Sequence, residues 1–327
     1  MKFNPRSFYS KEISKFEGKY QKILKGKYPA SLYEPCDYIV ESSGKRLRPF
    51  LVMLSAKAVG AKTNSVINAA MAVELFHNFT LVHDDIMDNA DKRRNRETLH
   101  IKYDINTAIL SGDNLLAIAY QSLLKDCKHY GTSAVEDFTT GLIEVCEGQS
   151  LDKDFENRKN VSLDEYIIMI SKKTAALAET CCSIGAKLGG GSSQEINSLR
   201  RYGKYLGLAF QIQDDLLDIM ADEAELGKKI GGDLLEGKKT YLLLKALEKA
   251  KANDKKLIQA IIANNGIKEN QIQTYKKLYN KLDVINDVSI EVQRYTNLAL
   301  KAVKNIKNEK AKITLEWLAN SLTERKK

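Results

Sequence analysis

Phe76-His77-Asn78-Phe79-Thr80-Leu81-Val82-His83-Asp84-Asp85-Ile86-Met87-Asp88 is the stretch on which the reading of this chain turns. With Ala70 and Val73 upstream, Phe76, His77, Thr80, Leu81 and Ile86 recur at helical spacing. The pattern predicts a helix that runs directly into three aspartates. On a helix the first and fifth carboxylates of the D-D-x-x-D form project from one face, one turn apart. Crowded carboxylates repel unless a cation joins them. Oxygen-only donors suit Mg²⁺, which takes one or two carboxylates and completes its shell with water and substrate phosphate. The competing explanation is an acidic patch on a solvated helix face. It weakens because the form returns as Asp214-Asp215-Leu216-Leu217-Asp218, again within an apolar segment, Leu206–Met220. Two such clusters facing one another, with Asp84, Asp85, Asp88, Asp214, Asp215 and Asp218 as metal ligands, would grip one polyphosphate through several metals.

Outward from these clusters the chain predicts helix almost everywhere. Ile167, Ile170, Thr174, Leu177 and Cys181 keep the helical period, as do Ile285, Val288, Val292, Tyr295, Leu298 and Ala302. All four prolines fall at or before position 49, and alternating strand patterns are scarce. Breaks are read at Ser42-Ser43-Gly44, Asp91–Arg96, Asn157–Ser162, Gly189-Gly190-Gly191, Gly227–Gly232 and Asn264-Asn265-Gly266. The expectation is an all-α fold: one helical domain over residues 1–327, built of ten or more helices.

Metal-bound diphosphate keeps negative charge, so basic donors are expected around it. Gly44-Lys45-Arg46-Leu47-Arg48-Pro49 follows a glycine break, and Lys45 and Arg48 can share a face at a helix start. Arg93 and Arg94 follow the first cluster; being adjacent, they point apart and could serve two anions. Lys172-Lys173-Thr174 interrupts an apolar helix, and Lys228 and Lys238 flank Gly231-Gly232-Asp233 after the second cluster.

Composition excludes several classes. The chain has 327 residues, 43% hydrophobic and 28% charged, which suits a globular protein rather than a disordered one. Its net charge of +9 resides in the ends: residues 1–30 hold eight basic and two acidic groups, residues 301–327 eight and three. That placement, with no reading motif beside it, argues against nucleic-acid binding. No uninterrupted apolar run reaches membrane-spanning length, and the N-terminus lacks a secretory h-region. Five cysteines without a CxxC pair point to reduced, inert thiols and a cytoplasmic protein.

Taken together, these residues resemble the trans-polyprenyl diphosphate synthase family, the all-helical prenyltransferases, over about residues 30–325. The likeness covers Gly44–Pro49, Glu74-x-x-His77, His83–Asp88, Arg93-Arg94, Gly112-Asp113, Glu147-Gly148-Gln149 with Asp152, Lys173-Thr174, Gly207–Asp218 and Gly231–Thr240. It implies Mg²⁺, three ions with substrate bound, a homodimer, and condensation of isopentenyl diphosphate with allylic diphosphates. By that resemblance Lys45, Arg48, His77 and Arg94 would hold isopentenyl diphosphate. Arg93, Lys173, Lys228 and Lys238 would contact the allylic diphosphate, with Asp84 and Asp88 on one side of its metals and Asp214 on the other. Thr174 and Gln211 would sit beside the reacting carbons. The chain departs from the family after the arginine pair, where Asn95 and Glu97 stand in place of the usual glycine and proline.

Product length is read from the helix above Asp84. A rise of about 1.5 Å per residue puts Thr80 about 6 Å and Phe76 about 12 Å from Asp84 on nearly the same face. Thr80 would let a growing chain pass, and Phe76 with Phe79 would close the floor. In the family an aromatic at the position of Phe79 goes with short products, so farnesyl or geranylgeranyl diphosphate is expected. Two other readings compete. A terpene cyclase would share the first cluster but not need Lys45 and Arg48. A di-iron bundle would use Glu74-x-x-His77 and Glu97-x-x-His100 but leave both aspartate clusters unexplained.

Overall fold

The computed structural model describes residues 3–127, 131–220 and 231–323. Helices dominate: α1 (Pro5–Tyr20), α2 (Ala30–Val40), α3 (Leu47–Ala58), α4 (Ile67–Met87), α5 (Leu99–Lys102), α6 (Ile105–Asp126), α7 (Gly131–Asn157), α8 (Leu163–Ile170), α9 (Ala176–Leu188), α10 (Ser193–Met220), α11 (Gly232–Leu235), α12 (Tyr241–Lys249), α13 (Ala252–Ala263), α14 (Ile272–Lys281), α15 (Val284–Ala302) and α16 (Glu309–Thr323). The fold is all-α. Among the described residues the strands are two residues each: β1 (Lys92–Arg93) pairs antiparallel with β2 (Arg96–Glu97). Lys228 and Gly227 lie outside the described residues.

The chain divides into two compact units. One comprises Met1–Thr139, Thr180–Leu199 and Ile306–Thr314; the other comprises Thr140–Glu179, Arg200–Asn305 and Leu315–Lys327. The divisions fall inside α7, α9, α10 and α16.

In the first unit α4 packs along α6 and touches α2 and α3. Every residue from Ala69 to Phe76 is buried, so the upper part of α4 is enclosed all round rather than striped, with Glu74 its one charged member. With the turn before it, this helix is long and apolar enough to cross a membrane by length and composition alone, as the core helix of a globular protein also can be. It is mostly buried inside the protein, and its apolar surface serves the core. Gly112 on α6 is needed for the packing: a Cβ there would stand 2.4 Å from His83 Cε1. Cys36, Cys181 and Cys182 are buried free thiols, packed as small hydrophobes.

The second unit has its own core, in which Tyr166, Ile170, Ile212, Leu216, Leu242, Val288 and Val292 come together. Ser162 and Glu165 form a capping box at the start of α8, which explains the break read at 157–162. The breaks at 42–44, 189–191 and 264–266 also separate helices. The prolines are only partly breaks. Pro5 and Pro49 sit in first turns, where the missing N–H has no intrahelical partner to lose, while Pro35 lies inside α2.

Candidate active site

The loop before α3 is built around Arg46. It takes the left-handed conformation (φ 47°) and buries its guanidinium, which donates to Glu17 and Glu74 at 2.7 Å each and to the Ser42 carbonyl at 2.7 Å. Arg46 is thus a neutralised anchor. Lys45 beside it is exposed, and its carbonyl accepts the Tyr9 hydroxyl. Arg48 Nη1 lies 3.1 Å from His77 Nε2. Arginine can only donate, so Nε2 is the acceptor and the imidazole is neutral with its proton on Nδ1. Burial, then Arg48, Arg94, Arg93 and Arg46, push the His77 pKa well below its usual value. Arg94 Nη1 donates to the Ser43 carbonyl at 2.6 Å, and a Cβ on Gly44 would meet that nitrogen at 2.9 Å. Gly44 therefore leaves the space Arg94 fills. Arg48 and Arg94 are both lowered by burial, and the group as a whole is over-supplied with positive charge. Such a group is completed by an anion.

Arg93 and Arg94 are presented by the hairpin. Arg94 and Asn95 occupy its two turn positions with φ 52° and 60°, both left-handed, as a type I′ turn requires. Asparagine tolerates that conformation, so Asn95 does the work of a turn glycine.

Asp84 and Asp85 close the last turn of α4, and Asp88 is its C-cap. Carboxylates at a helix C-terminus oppose the helix dipole, so a bound cation relieves both that and their mutual repulsion. The three differ. Asp84 is half-buried and Asp88 exposed. Asp85 is buried and accepts Arg93 Nε at 2.7 Å; burial raises its pKa in spite of the arginine. Asp85 thus holds an arginine through one of its oxygens.

The second cluster lies on α10, at Asp214, Asp215 and Asp218. Asp214 is exposed, and half-buried Asp218 accepts the Asp233 N–H at 3.2 Å. Asp215 is buried and accepts the Tyr166 hydroxyl, Gln211 Nε2 at 3.0 Å and the Tyr241 N–H at 3.4 Å. Burial raises its pKa to about 6 against those hydrogen bonds, with Asp214 adding to the rise. Like Asp85, Asp215 is engaged by protein groups. Asp233 is raised well above its usual value by burial, then by Asp215 and Asp218.

Thr174 donates to Gln211 Oε1 at 2.8 Å. It lies in a single π-turn, Ser171–Ala175, between α8 and α9. A Cβ on Gly148 would stand 2.1 Å from Lys173 N, and one on Gly207 2.6 Å from Ala175 Cα, so both glycines serve close approach to this turn. Lys173 donates to Asp152 at 2.5 Å, and Lys172 to Glu147. Lys238 is exposed, 2.8 Å from Glu236 and 3.9 Å from Asp233.

The floor residues separate. Phe76 is fully buried against Phe138 (centroids 5.2 Å apart). Phe79 is half-buried against His83 (4.6 Å), and Thr80 donates to the His77 carbonyl at 2.8 Å. The sequence reading missed Arg46 as the anchor, Tyr166, the Tyr241 N–H and the π-turn. Among these, the apolar spacing could flag Tyr166 only as core.

The model of the polyprenyl synthetase family matches residues 29–282. The chain belongs to this family. It is 35% identical over 300 residues to a short chain isoprenyl diphosphate synthase from Methanothermobacter thermautotrophicus, covering 91% of each chain. It is 36% identical over 303 residues to a geranylgeranyl diphosphate synthase from Sulfolobus acidocaldarius, covering 91% of this chain and 89% of that one. A crystal structure of a geranylgeranyl pyrophosphate synthase superposes with a TM-score of 0.91 at 40% identity, covering 98% of this chain and 99% of the other. The chain is accordingly a prenyltransferase. The di-iron pattern is not assembled: Glu74 is committed to Arg46, His77 is ringed by arginines, and Glu97 sits in the hairpin.

Among the described residues no three His, Cys, Asp or Glu side chains form a ready-made metal site. Asp84 with Asp88, and Asp214 with Asp218, are oxygen-only pairs that fit an ion completed by phosphate and water.

Proposed function

We propose that this prenyltransferase condenses isopentenyl diphosphate with allylic diphosphates to give a short-chain product, geranylgeranyl in preference to farnesyl diphosphate. The observation that carries the reading is the arginine-rich group around neutral His77, on the helix that ends in Asp84 and Asp88. A cyclase acting on one diphosphate has no use for this second set of anion donors.

Lys45, Arg48, His77 and Arg94 bind the diphosphate of isopentenyl diphosphate. Arg48 and Arg94 supply charge, and His77, protonated at Nδ1, stays neutral until the anion arrives. Arg93, Lys173, Lys228 and Lys238 contact the allylic diphosphate. Asp84 with Asp88, and Asp214 with Asp218, would hold Mg²⁺, three ions in all. When bound, Mg²⁺ supplies charge neutralisation on the departing diphosphate. Thr174 and Gln211 present hydroxyl and amide oxygens beside the carbon that becomes cationic, and the apolar walls keep out water. The double bond of isopentenyl diphosphate forms the new carbon–carbon bond. The lost proton goes to the departed diphosphate, since no side chain in this set is a free general base. Asp85 and Asp215 fix Arg93 and Gln211.

The chain acts as one prenyltransferase domain, in the cytoplasm and as a homodimer. Exposed Ile101, Tyr103, Ile105, Ile109 and Leu110 around the start of α6 are consistent with burial against a second copy.

The test supplies isopentenyl diphosphate with dimethylallyl, geranyl or farnesyl diphosphate and Mg²⁺, and measures product chain length. A C20 product is expected. Phe79→Ala lengthens it. Phe76→Ala costs about 3–5 kcal/mol of stability because its ring is core. No condensation with any starter overturns the reading.

A further inference from the structure

Tyr166 lies in α8, one turn before the π-turn, and is 2% exposed. Its hydroxyl begins a run of hydrogen bonds in which each link dictates the next. The phenol donates to Asp215 Oδ2, which also takes the Tyr241 N–H at 3.4 Å. Asp215 Oδ1 takes Gln211 Nε2 at 3.0 Å, and Gln211 Oε1 takes the Thr174 hydroxyl at 2.8 Å. A carboxylate offers only lone pairs, so Asp215 can bind only the NH₂ end of Gln211. That fixes which way the amide faces, and the outward carbonyl then takes the single proton of Thr174. What remains of the Thr174 hydroxyl is its lone pairs.

We propose that Tyr166 is a positioning residue for the reaction: its hydroxyl locks Asp215 and so sets the orientation of the Gln211 amide and the Thr174 hydroxyl. This rests on the reading above that Thr174 and Gln211 lie beside the reacting carbons. The ring of Tyr166 packs in the core, with Tyr241 at 6.1 Å between centroids. Packing therefore belongs to the ring and positioning to the hydroxyl, and Tyr166→Phe separates the two.

The experiment is a double-mutant cycle of Tyr166→Phe and Thr174→Val in the full chain. It measures kcat and both KM values with isopentenyl diphosphate, an allylic starter and Mg²⁺, and melting temperature alongside. Expected is about a tenfold or greater loss of kcat in Tyr166→Phe with both KM values kept, and no further loss when it is added to Thr174→Val. Wild-type kcat in Tyr166→Phe, with Thr174→Val impaired, overturns the positioning role alone. So does a loss that simply adds to that of Thr174→Val. Full activity in Thr174→Val overturns the reading of Thr174, and the positioning role falls with it. Should Tyr166→Phe not fold, 4-aminophenylalanine and 4-fluorophenylalanine at position 166 pose the same question at nearly equal size. The donor-bearing amine must restore kcat where the fluoride does not; equal kcat overturns the proposal.

Discussion

The two aspartate clusters share a sequence form and a place on a helix, yet they bury their middle carboxylate by opposite means. Asp85 is held by a cation, the Arg93 guanidinium at 2.7 Å. Asp215 is held by neutral donors: a phenol, a side-chain amide and a backbone N–H. Pairing with a charge couples the first cluster to the hairpin that carries Arg93. Burial raises the pKa of both carboxylates, and that of Asp215 reaches about 6 against the hydrogen bonds from its neutral donors. The same motif thus yields an ion pair in one unit and a hydrogen-bonded relay in the other. The outer carboxylates Asp84, Asp88, Asp214 and Asp218 are half-buried or exposed, and they are the ones proposed above to hold Mg²⁺.

The largest expected effect tests that shared role. Asp84→Ala and Asp214→Ala should each lower turnover by about three orders of magnitude, with helical circular dichroism unchanged. Near-normal turnover in both would break the likeness of the outer carboxylates. Next, Mg²⁺ with a bisphosphonate should raise the melting temperature, because only the folded state gathers the carboxylates and arginines. At a hundred times Kd the gain is about 2.7 kcal/mol. It should vanish in the Asp84→Ala and Asp214→Ala variants, and no shift in the wild type would count against both clusters as a site.

The inner carboxylates should part company. Asp85→Asn leaves Arg93 without its counter-charge and should destabilise the protein by about 1–3 kcal/mol. Asp215→Asn removes a charge the fold disfavours. Because its folded pKa is raised, Asp215 costs stability once ionised, and that cost grows as pH rises from about 4 through about 6. Metal-free Asp215→Asn should therefore match or exceed the wild type in melting temperature at pH 8 and lose the advantage at pH 4. Equal destabilisation by both asparagines at pH 8 would erase the distinction. The smallest effect concerns His77. Its folded pKa is depressed, so below about pH 6.5 the unfolded chain takes a proton that the folded one refuses, and stability falls. His77→Gln should flatten that fall between pH 6.5 and 5 in urea titrations, and an unchanged slope would show that other groups cause it.

The helical character was legible in the sequence because it rests on local period and on the near-absence of proline, both properties of neighbouring residues. The aspartate pairs, Lys45, Arg48 and the arginine pair were legible for a related reason: unusual charge within apolar segments has few explanations. Asn95 was less so. A departure from the expected turn residues became a type I′ hairpin, since asparagine reaches the left-handed region almost as glycine does.

What the sequence could not determine was which member of each cluster turns inward, for both clusters are written identically. That was decided by what tertiary packing sets beside them: Arg93 from a hairpin, Tyr166 from another helix and the Tyr241 N–H from a third. Phe76 likewise reads as a floor from its spacing, and it is Phe138, far along the chain, that encloses its ring. Periodicity fixes the direction a side chain takes from its own helix axis; its partners come from segments whose distance in sequence carries no such signal, and burial then sets its charge.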